Sequence, residues 1–179
     1  TRGTLVKDEA KSMEQVVVRG VSLEKSQAKV TLVGVADRPG VAAKLFTGIA
    51  KAGINLDMIV QNVSLPTSGK HARAQTDITF TVPREELAKA KKLLELFRRA
   101  GGAKQIVFQE GVAKLSVVGI GMRSHSGVAA QLFRALARAG VNIQMISTSE
   151  IKITVVVEES SGAKAVRAVH REFRLGGGR

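Results

Sequence analysis

The amino-acid sequence contains one pattern twice. Residues 29–62 read KVTLVGVADRPGVAAKLFTGIAKAGINLDMIVQN, and residues 114–149 read KLSVVGIGMRSHSGVAAQLFRALARAGVNIQMISTS. Residues up to Arg38 recur 85 positions later, and residues from Gly40 onward recur 87 positions later, so the second copy carries two extra loop residues. Two copies are too few for a solenoid, which needs about three or more stacked repeats. The chain is therefore predicted to be a duplicated module.

Each copy predicts the same series of elements. Apolar, β-branched runs are typical of strands, and apolar residues at helical spacing are typical of helices. The resulting order is β-α-β-β-α-β, the split-βαβ arrangement, which makes the fold class α+β and ferredoxin-like. In the first copy we predict helices from Val41 and from Pro83, and strands at 30–35, 54–60, 76–82 and 105–109. The second copy has strands at 115–120, 141–147 and 151–157 but no fourth strand after its last helix.

A candidate for the missing strand lies ahead of the first copy, where residues 15–21 read QVVVRGV. We predict that this segment completes the sheet of the second module, so that the two modules interlock. The first domain then comprises residues 24–110, and the second is discontinuous, with residues 14–23 and 111–175. Residues 1–13 and 176–179 are expected to be flexible ends.

Composition narrows the classes of function. The 28 Lys and Arg against 15 Asp and Glu raise the question of nucleic acid, but six Phe and no Tyr or Trp argue against base stacking. The lack of cysteine excludes thiolate metal sites and cysteine nucleophiles. No apolar run approaches the roughly 20 residues that span a bilayer, and the N-terminal residues do not form a signal peptide. We therefore expect a cytoplasmic protein with no nucleic-acid, membrane or metal partner.

The loop at residues 36–41 joins a predicted strand to a predicted helix. The free N–H groups of a helix's first turn attract an anion such as a carboxylate, and Asp37 can hold an ammonium group nearby. Together they suit the two charged ends of a free α-amino acid. The alternative is structural, with Asp37 capping the helix and Pro39 in its first turn. The second copy has Met122 where the first has Asp37, so it must hold an ammonium group with other residues.

Four segments resemble one family closely. ADRPGVAAKLF, AGINLDMIVQN, TDITFTV and VNIQMISTSEIKITVVV are similar to the paired ACT domains of bacterial aspartate kinase. The resemblance extends from about Gly3 to Leu175 and matches the regulatory part of that enzyme. It implies two tandem ACT domains, feedback control of aspartate-family amino-acid biosynthesis, and no cofactor. It also implies L-threonine or L-lysine, or both, as ligands, a homodimer formed through the ACT domains, and a catalytic (alpha) subunit as partner.

The resemblance also implies two effector sites, each closed by a partner module. For threonine, it implies a first site made of Asp37, Arg38, Pro39, Gly40, Val41, Ala42 and Gln61, closed by Asn142 and Ile143. For lysine, it implies a second site made of Met122, Ser124, Ser126, Gly127, Val128, Ser147, Thr148, Ser149 and Glu150, closed by Asn55 and Leu56. Glu150 could meet the ε-ammonium of lysine or could be an exposed carboxylate at a strand end.

Two other classes of function stay open at this point. RNA-recognition motifs share the β-α-β-β-α-β order, but they need exposed aromatic residues that the strands at 30–35 and 115–120 lack. An enzyme fragment would need a nucleotide site. The Lys-Phe-Gly-Gly-Thr-Ser stretch of the family's kinase domain and a Walker loop are both missing from this sequence, so we expect no catalytic residues and no activity of the chain on its own.

Overall fold

A computed structural model describes residues 17–64, 74–120 and 127–175. In these residues six strands form one antiparallel sheet in the order β2-β3-β1-β4-β6-β5, accompanied by four helices. The strands are β1 (Val17–Ala36), β2 (Asp57–Ser64), β3 (Gln75–Pro83), β4 (Gln105–Ile120), β5 (Met145–Thr148) and β6 (Lys152–Glu158). The helices are α1 (Val41–Lys51), α2 (Leu87–Arg99), α3 (Gly127–Arg138) and α4 (Gly162–Glu172).

Strands β1 and β4 belong to both modules. The first half of β1 pairs with the second half of β4, from Val17 opposite Ile120 to Glu24 opposite Lys114. The second half of β1 pairs with β3 and with the first half of β4, where Val33 lies opposite Gln105. The predicted interlocking is therefore confirmed, since the N-terminal strand completes the sheet of the second module. Residues 14–16 of the predicted second domain, and both predicted flexible ends, lie outside the described residues.

The strands predicted at 15–21 and 30–35 were expected to be separate, but residues 17–36 form the single long strand β1. The strands predicted at 105–109 and 115–120 are likewise joined in the single long strand β4, so the prediction of four separate strands was wrong. The register of β1 against β4 shifts between Glu24 and Gln27 and again before Lys29. Ser26 has a φ of 57°, and Gly111 in β4 has a φ of 70°. Bulges of this kind bend and twist a strand without ending it. The polar segment between the two halves of β1 is thus a bend where one module passes into the other.

Each module has its own apolar core between its strands and its helices. Val30, Leu32, Ile78 and Phe80 alternate along their strands toward α1 and α2, and they are almost fully buried. The core of the second module is formed in the same way against α3 and α4 by Leu115, Val117, Ile153, Val155 and Val157. Ile78, Phe80 and Val82 alternate along the strand predicted at 76–82, and all three are buried. The intervening residues of these strands form a face that the helices do not cover.

The helix-free faces of the two modules meet at a seam. Met58, Val112, Met145 and Val156 are buried together there, with Val60 packed against them. Strands β2 and β5 approach each other at this seam although they lie at opposite edges of the sheet order. We call this group of four residues the seam cluster.

Some element boundaries differ from the sequence prediction. Strand β2 begins at Asp57 and not at Ile54, and β5 begins at Met145 and not at Val141. In both copies the residues after the helix form an irregular link, because the glycine that ends the helix has a positive φ and turns the chain (64° at Gly53, 59° at Gly140). The second helix of the first copy starts with a short 3-10 helix at Arg84–Glu86 before α2.

Candidate functional site

The loop between β1 and α1 presents an open helix N-terminus. Asp37, Arg38, Pro39 and Gly40 are all exposed, and Val41 is half-buried at the start of the helix. The Asp37 N–H donates to the carbonyl of Ala74 at 2.9 Å, which fixes the loop beside the start of β3. The Val41 N–H donates to the carbonyl of Arg38 at 3.4 Å, whereas the N–H groups of Ala42 and Ala43 have no partner among the described residues, and α1 has no acidic residue in its first turn. The loop therefore offers unpaired backbone donors to an anion.

Asp37 does not cap this helix. Gly40 is the N-cap residue, with a φ of 90°, and no side chain makes a capping hydrogen bond. Among the described residues the carboxylate of Asp37 has no hydrogen bond or ion pair. The structural alternative considered for Asp37 is therefore wrong. An exposed carboxylate next to free N–H donors matches the ammonium and carboxylate groups of an amino acid.

Gln61, the other predicted residue of the first site within the same module, is exposed on β2. It lies opposite Ile78 of β3, whereas Ser64 lies opposite Gln75, which in turn is paired with Ala36 at the end of β1. Ser64 is therefore the residue of β2 in line with the end of β1, where the loop begins. Gln61 lies three residues from Ser64, or about 10 Å along the strand. A ligand at the loop would have to extend along β2 to contact the side chain of Gln61.

The segment predicted to close the first site lies elsewhere within one chain. Asn142 and Ile143 directly precede Gln144, which accepts a hydrogen bond from Lys29 Nζ at 2.8 Å. Lys29 stands seven residues before Ala36 on β1, whereas the loop follows Ala36. Seven residues of extended chain span about 23 Å. The contact with Gln144 places Asn142 and Ile143 near Lys29, whereas the Asp37 loop follows Ala36 at the far end of β1.

The second predicted site is only partly within the described residues. Met122, Ser124 and Ser126 lie outside them. Gly127 is exposed at the start of α3, but the side chain of Val128 is buried in the second core and can offer only its backbone to a ligand. Ser147, Thr148, Ser149 and Glu150 run from the end of β5 into its turn toward β6.

The turn after β5 lies beside the end of β4. The Ser149 N–H donates to the carbonyl of Lys152 at 2.8 Å, and the Gly119 N–H donates to the carbonyl of Ile151 at 3.0 Å. Ile120, the last described residue before the gap at 121–126, is at this same end of β4. Ser147–Glu150 therefore lie beside the last described residues of β4, and their role in a second site stays a prediction.

Asn55 and Leu56, predicted to close the second site, lie in the link before β2. The Asn55 N–H donates to Glu86 Oε2 at 2.9 Å, and Leu56 packs against the first core. The next residue, Asp57, contacts Lys114 at the start of the second module's half of β4. Each predicted closing segment is therefore followed by a residue that contacts the other module of the same chain: Asp57 follows Asn55 and Leu56, and Gln144 follows Asn142 and Ile143.

Lys114 joins the two modules at the seam. Its side chain is only 6% exposed, and its Nζ lies 2.8 Å from Asp57 Oδ2 and 3.0 Å from Glu24 Oε2. Burial opposes a charge on Lys114, but the hydrogen bonds and negative charges of the two carboxylates outweigh it and raise the pKa of Lys114. Partial burial likewise opposes ionisation of Asp57, but hydrogen bonds from Lys114 and from the Met58 N–H lower the pKa of Asp57. The pair is therefore ionic at neutral pH.

In the other copy the equivalent contact has a neutral acceptor. Lys29 recurs as Lys114 and Asp57 recurs as Gln144, so the bond from Lys29 to Gln144 is the counterpart of the bond from Lys114 to Asp57. Sequence reasoning missed all four residues as contacts. The signal available was a lysine between apolar residues at the same place in both repeats, which is a costly position for an unpaired charge.

Neither a metal site nor a membrane span is found where the structure is described. Within residues 17–64, 74–120 and 127–175, no group of three or more His, Asp or Glu side chains could hold a metal ion. No helix in those ranges has both the length and the apolar character needed to cross a bilayer.

Comparison with known proteins identifies both repeats. A family model described as "ACT domain" matches residues 30–96 and 115–173. An aspartate kinase of Pseudomonas fluorescens is 48% identical over 174 residues, which are 97% of this chain and 40% of the relative. An aspartokinase of Corynebacterium glutamicum is 44% identical over 177 residues, which are 98% of this chain and 41% of the relative. The chain spans about two fifths of the length of these relatives.

Two solved chains match this one over almost their own full length. The ligand-free regulatory subunit of aspartate kinase from Thermus thermophilus is 37% identical, with a TM-score of 0.77 over 88% of this chain and 99% of that one. A chain in the crystal structure of aspartokinase alpha and beta subunits is 44% identical, with the same TM-score and coverage. The chain therefore belongs to the ACT domain family, as a tandem pair homologous to the regulatory subunits and regulatory regions of bacterial aspartate kinases.

Proposed function

We propose that this chain is an allosteric regulatory module of an aspartate kinase, which binds L-threonine, L-lysine or both at seams between ACT domains and so mediates feedback inhibition. The observation that carries the proposal is the match over almost the whole length of a separately solved regulatory subunit. An effector that binds one packing of the modules more tightly than another shifts the equilibrium between them. A catalytic subunit in contact with the modules would respond to that shift.

The first loop supports an amino acid as the ligand. The N–H groups at the start of α1 suit the ligand's carboxylate, and the exposed Asp37 carboxylate suits its ammonium group. The positive φ of Gly40 directs the chain into the helix without a side chain over these donors. A short polar side chain such as that of threonine leaves room for a second chain to cover it.

The position of Asn142 and Ile143 supports a dimer. Within one chain these residues are held near Lys29 and not beside the Asp37 loop. If they close the first site, they must come from a second copy of the chain. By the same reasoning, Asn55 and Leu56 would close the second site of the partner copy. Effector binding and association of two chains would then be linked, since each would stabilise the other.

The second site differs in chemistry from the first and would take a different effector. It lacks a counterpart of Asp37 and has instead the polar run Ser147, Thr148, Ser149 and Glu150. A carboxylate at Glu150 would suit the ε-ammonium of lysine. We assign lysine to this site and threonine to the first.

The RNA-binding alternative has no support in the structure. All six Phe residues are buried or half-buried, and each packs against one of the two cores. The helix-free face carries hydroxyl pairs where stacking platforms would be needed, with Thr31 bonded to Thr79 at 3.1 Å and Ser116 bonded to Thr154 at 2.8 Å.

Calorimetric titration of the full chain with threonine, lysine and a poly-U oligonucleotide tests the proposal. We expect saturable heat with threonine and lysine and none with poly-U. Asp37→Ala should weaken threonine binding by about tenfold or more, because a charged hydrogen bond contributes on the order of 1.5–3 kcal/mol. Glu85→Ala removes an exposed carboxylate just before α2, away from the loop, and should leave the affinity unchanged.

Two outcomes would contradict the proposal. One is the absence of heat with both amino acids. The other is binding to poly-U alone, with an affinity that falls steeply as salt is added. Analytical ultracentrifugation with and without threonine tests the dimer separately, since we expect threonine to shift the chain toward the dimer.

A further inference from the structure

The two inter-module contacts of the seam are equivalent by sequence but unequal in strength. Lys114 is held by two carboxylates, whereas Lys29 is held by the neutral amide of Gln144. Desolvation lowers the pKa of Lys29, while the carboxylates raise the pKa of Lys114. Both lysines are charged donors, but only the contact of Lys114 with Asp57 also joins two opposite charges, which attract each other at short distance. The first module's link is therefore fastened to its partner module more firmly than the second module's link.

The backbone at the ionic contact is strained. Met58 directly follows Asp57 and has a φ of 51°, in the left-handed region that side chains other than glycine seldom adopt. Strand β2 carries a register irregularity at this point, between Asp57 and Val60. In the described part of the chain Met145, the counterpart of Met58, is not among the residues with a positive φ. The strain is thus confined to the copy with the ionic contact.

Three contacts hold Asp57 and maintain this conformation. Asp57 Oδ2 accepts from Lys114 Nζ at 2.8 Å, and Asp57 Oδ1 accepts from the Met58 N–H at 2.8 Å. The hydroxyl of Thr81 donates to the Asp57 backbone carbonyl at 2.9 Å. The side chain of Met58 is buried in the seam cluster. A left-handed residue persists only where its surroundings hold it in place, and here Lys114 supplies the contact from the other module.

We propose that Lys114 is a positioning residue for the second effector site, because it holds Asp57 and the strained Met58 and thereby fixes the preceding link, Asn55–Leu56, in the shape that closes the partner's site. This inference rests on the proposed function for its ligand. When Lys114 is removed, Met58 relaxes toward the extended backbone expected of a strand residue. Asn55 and Leu56 then lose their fixed position, whereas Asn142 and Ile143 keep theirs.

The first arm of the test is ligand affinity measured by calorimetry on the full chain. Lys114→Met should weaken lysine binding about tenfold, within the range typical of coupling between sites, and leave threonine binding within about twofold of wild type. Lys29→Met is the matched control at the neutral contact and should leave lysine binding unchanged. Asp57→Asn is the second variant: it keeps an acceptor for the Met58 N–H, removes the charge and should weaken lysine binding by a smaller factor.

The second arm needs no ligand. Methyl NMR of methionine-labelled protein reports Met58 and Met145 separately, and the wild-type chain has only four methionines to assign. Each Lys→Met variant adds a fifth signal, which is recognised because the wild-type spectrum lacks it. Lys114→Met should move the Met58 signal further than that of Met145, which is buried in the same seam cluster, and Lys29→Met should leave the Met58 signal nearly unchanged. If wild type binds no lysine, the proposed second site is wrong, and this spectrum alone decides whether Lys114 positions Met58.

Two results would overturn the inference. One is a Met58 signal that Lys114→Met and Asp57→Asn both leave unchanged. The other is an equal loss of lysine and threonine affinity in Lys114→Met, which would mean general loosening of the seam and not positioning of one link.

Discussion

Replacement of Phe80 by alanine tests whether the interlocked modules unfold as one unit. Phe80 lies on β3, is fully buried in the first core, and meets the ring of Phe46 edge to face with centroids 6.0 Å apart. Deletion of a buried phenylalanine ring costs about 3–5 kcal/mol, which combines the lost transfer free energy with the cavity left behind. For a chain of this length each kcal/mol lowers Tm by about 2–4 °C, so we expect a fall of about 6–20 °C.

The decisive measurement is the urea concentration at which the second module is half unfolded. Strands β1 and β4 form part of both sheets, so loss of the first core should also remove two of the four strands of the second. The chain has no Trp or Tyr, so Phe173→Trp, half-buried against the second core, supplies a fluorescence signal specific to that module. Urea unfolding is then followed by this fluorescence and by circular dichroism, which reports the helices of both modules.

When Phe80→Ala is combined with Phe173→Trp, we expect both signals to fall at one lowered midpoint with an unchanged m value. Phe80→Leu is the matched control, since it keeps most of the buried volume and should cost less than about 1.5 kcal/mol. If the fluorescence keeps its original midpoint while the circular dichroism shows early loss of helix, the modules unfold separately and the shared strands do not couple them.

Other expectations follow from single positions. Gly34→Ala should destabilise the fold by about 1–2 kcal/mol in urea unfolding, because Gly34 in β1 has a φ of 67°, in the left-handed region that costs an L-residue about that much. Gly20→Ala is the control on the same strand: it has open space around it and no positive φ, so it should be neutral or stabilising by up to about 1 kcal/mol. Since the folded pKa of Asp57 lies below its ordinary value of 3.8, its contribution to stability is complete above that pH and is lost as pH falls through the lower folded value. The free energies of unfolding of wild type and Asp57→Asn should therefore converge in acid and differ at pH 6. A break in the chain near Gly111 should leave residues 112–179 unfolded by circular dichroism, and a folded fragment would contradict the interlocking.

The sequence predicts the repeated parts of the fold well because they depend on local patterns. Gly53 and Gly140 end their helices, since only a residue without a Cβ takes the positive φ of that turn at little cost. The alternation of Ile78, Phe80 and Val82 identifies the buried face of β3 because strand side chains alternate between faces. The missing fourth strand of the second copy leaves one candidate segment, which is why the interlocking could be predicted.

The continuity of β1 and the seam contacts could not be predicted in this way. The segment from Glu24 to Ala28 is polar and reads as a loop, but it stays extended because β3 and β4 flank it, and that pairing is tertiary. Lys114 and Asp57 are 57 residues apart, and nothing periodic connects them. In the candidate site, the open N-terminus of α1 could be predicted from the sequence. The distance between the Asp37 loop and Asn142 could not, because it depends on how the two modules pack against each other.

The sharing of β1 and β4 has a consequence for how the two halves of the gene can diverge. A mutation that breaks either long strand or shifts its register alters both lobes at once, so it is inherited as a change to the pair. The loops after these strands, and the residues that follow each helix, belong to one lobe alone. Selection can therefore tune the two ligand preferences independently in those short stretches, while the exchanged strands keep the lobes together as a single heritable unit.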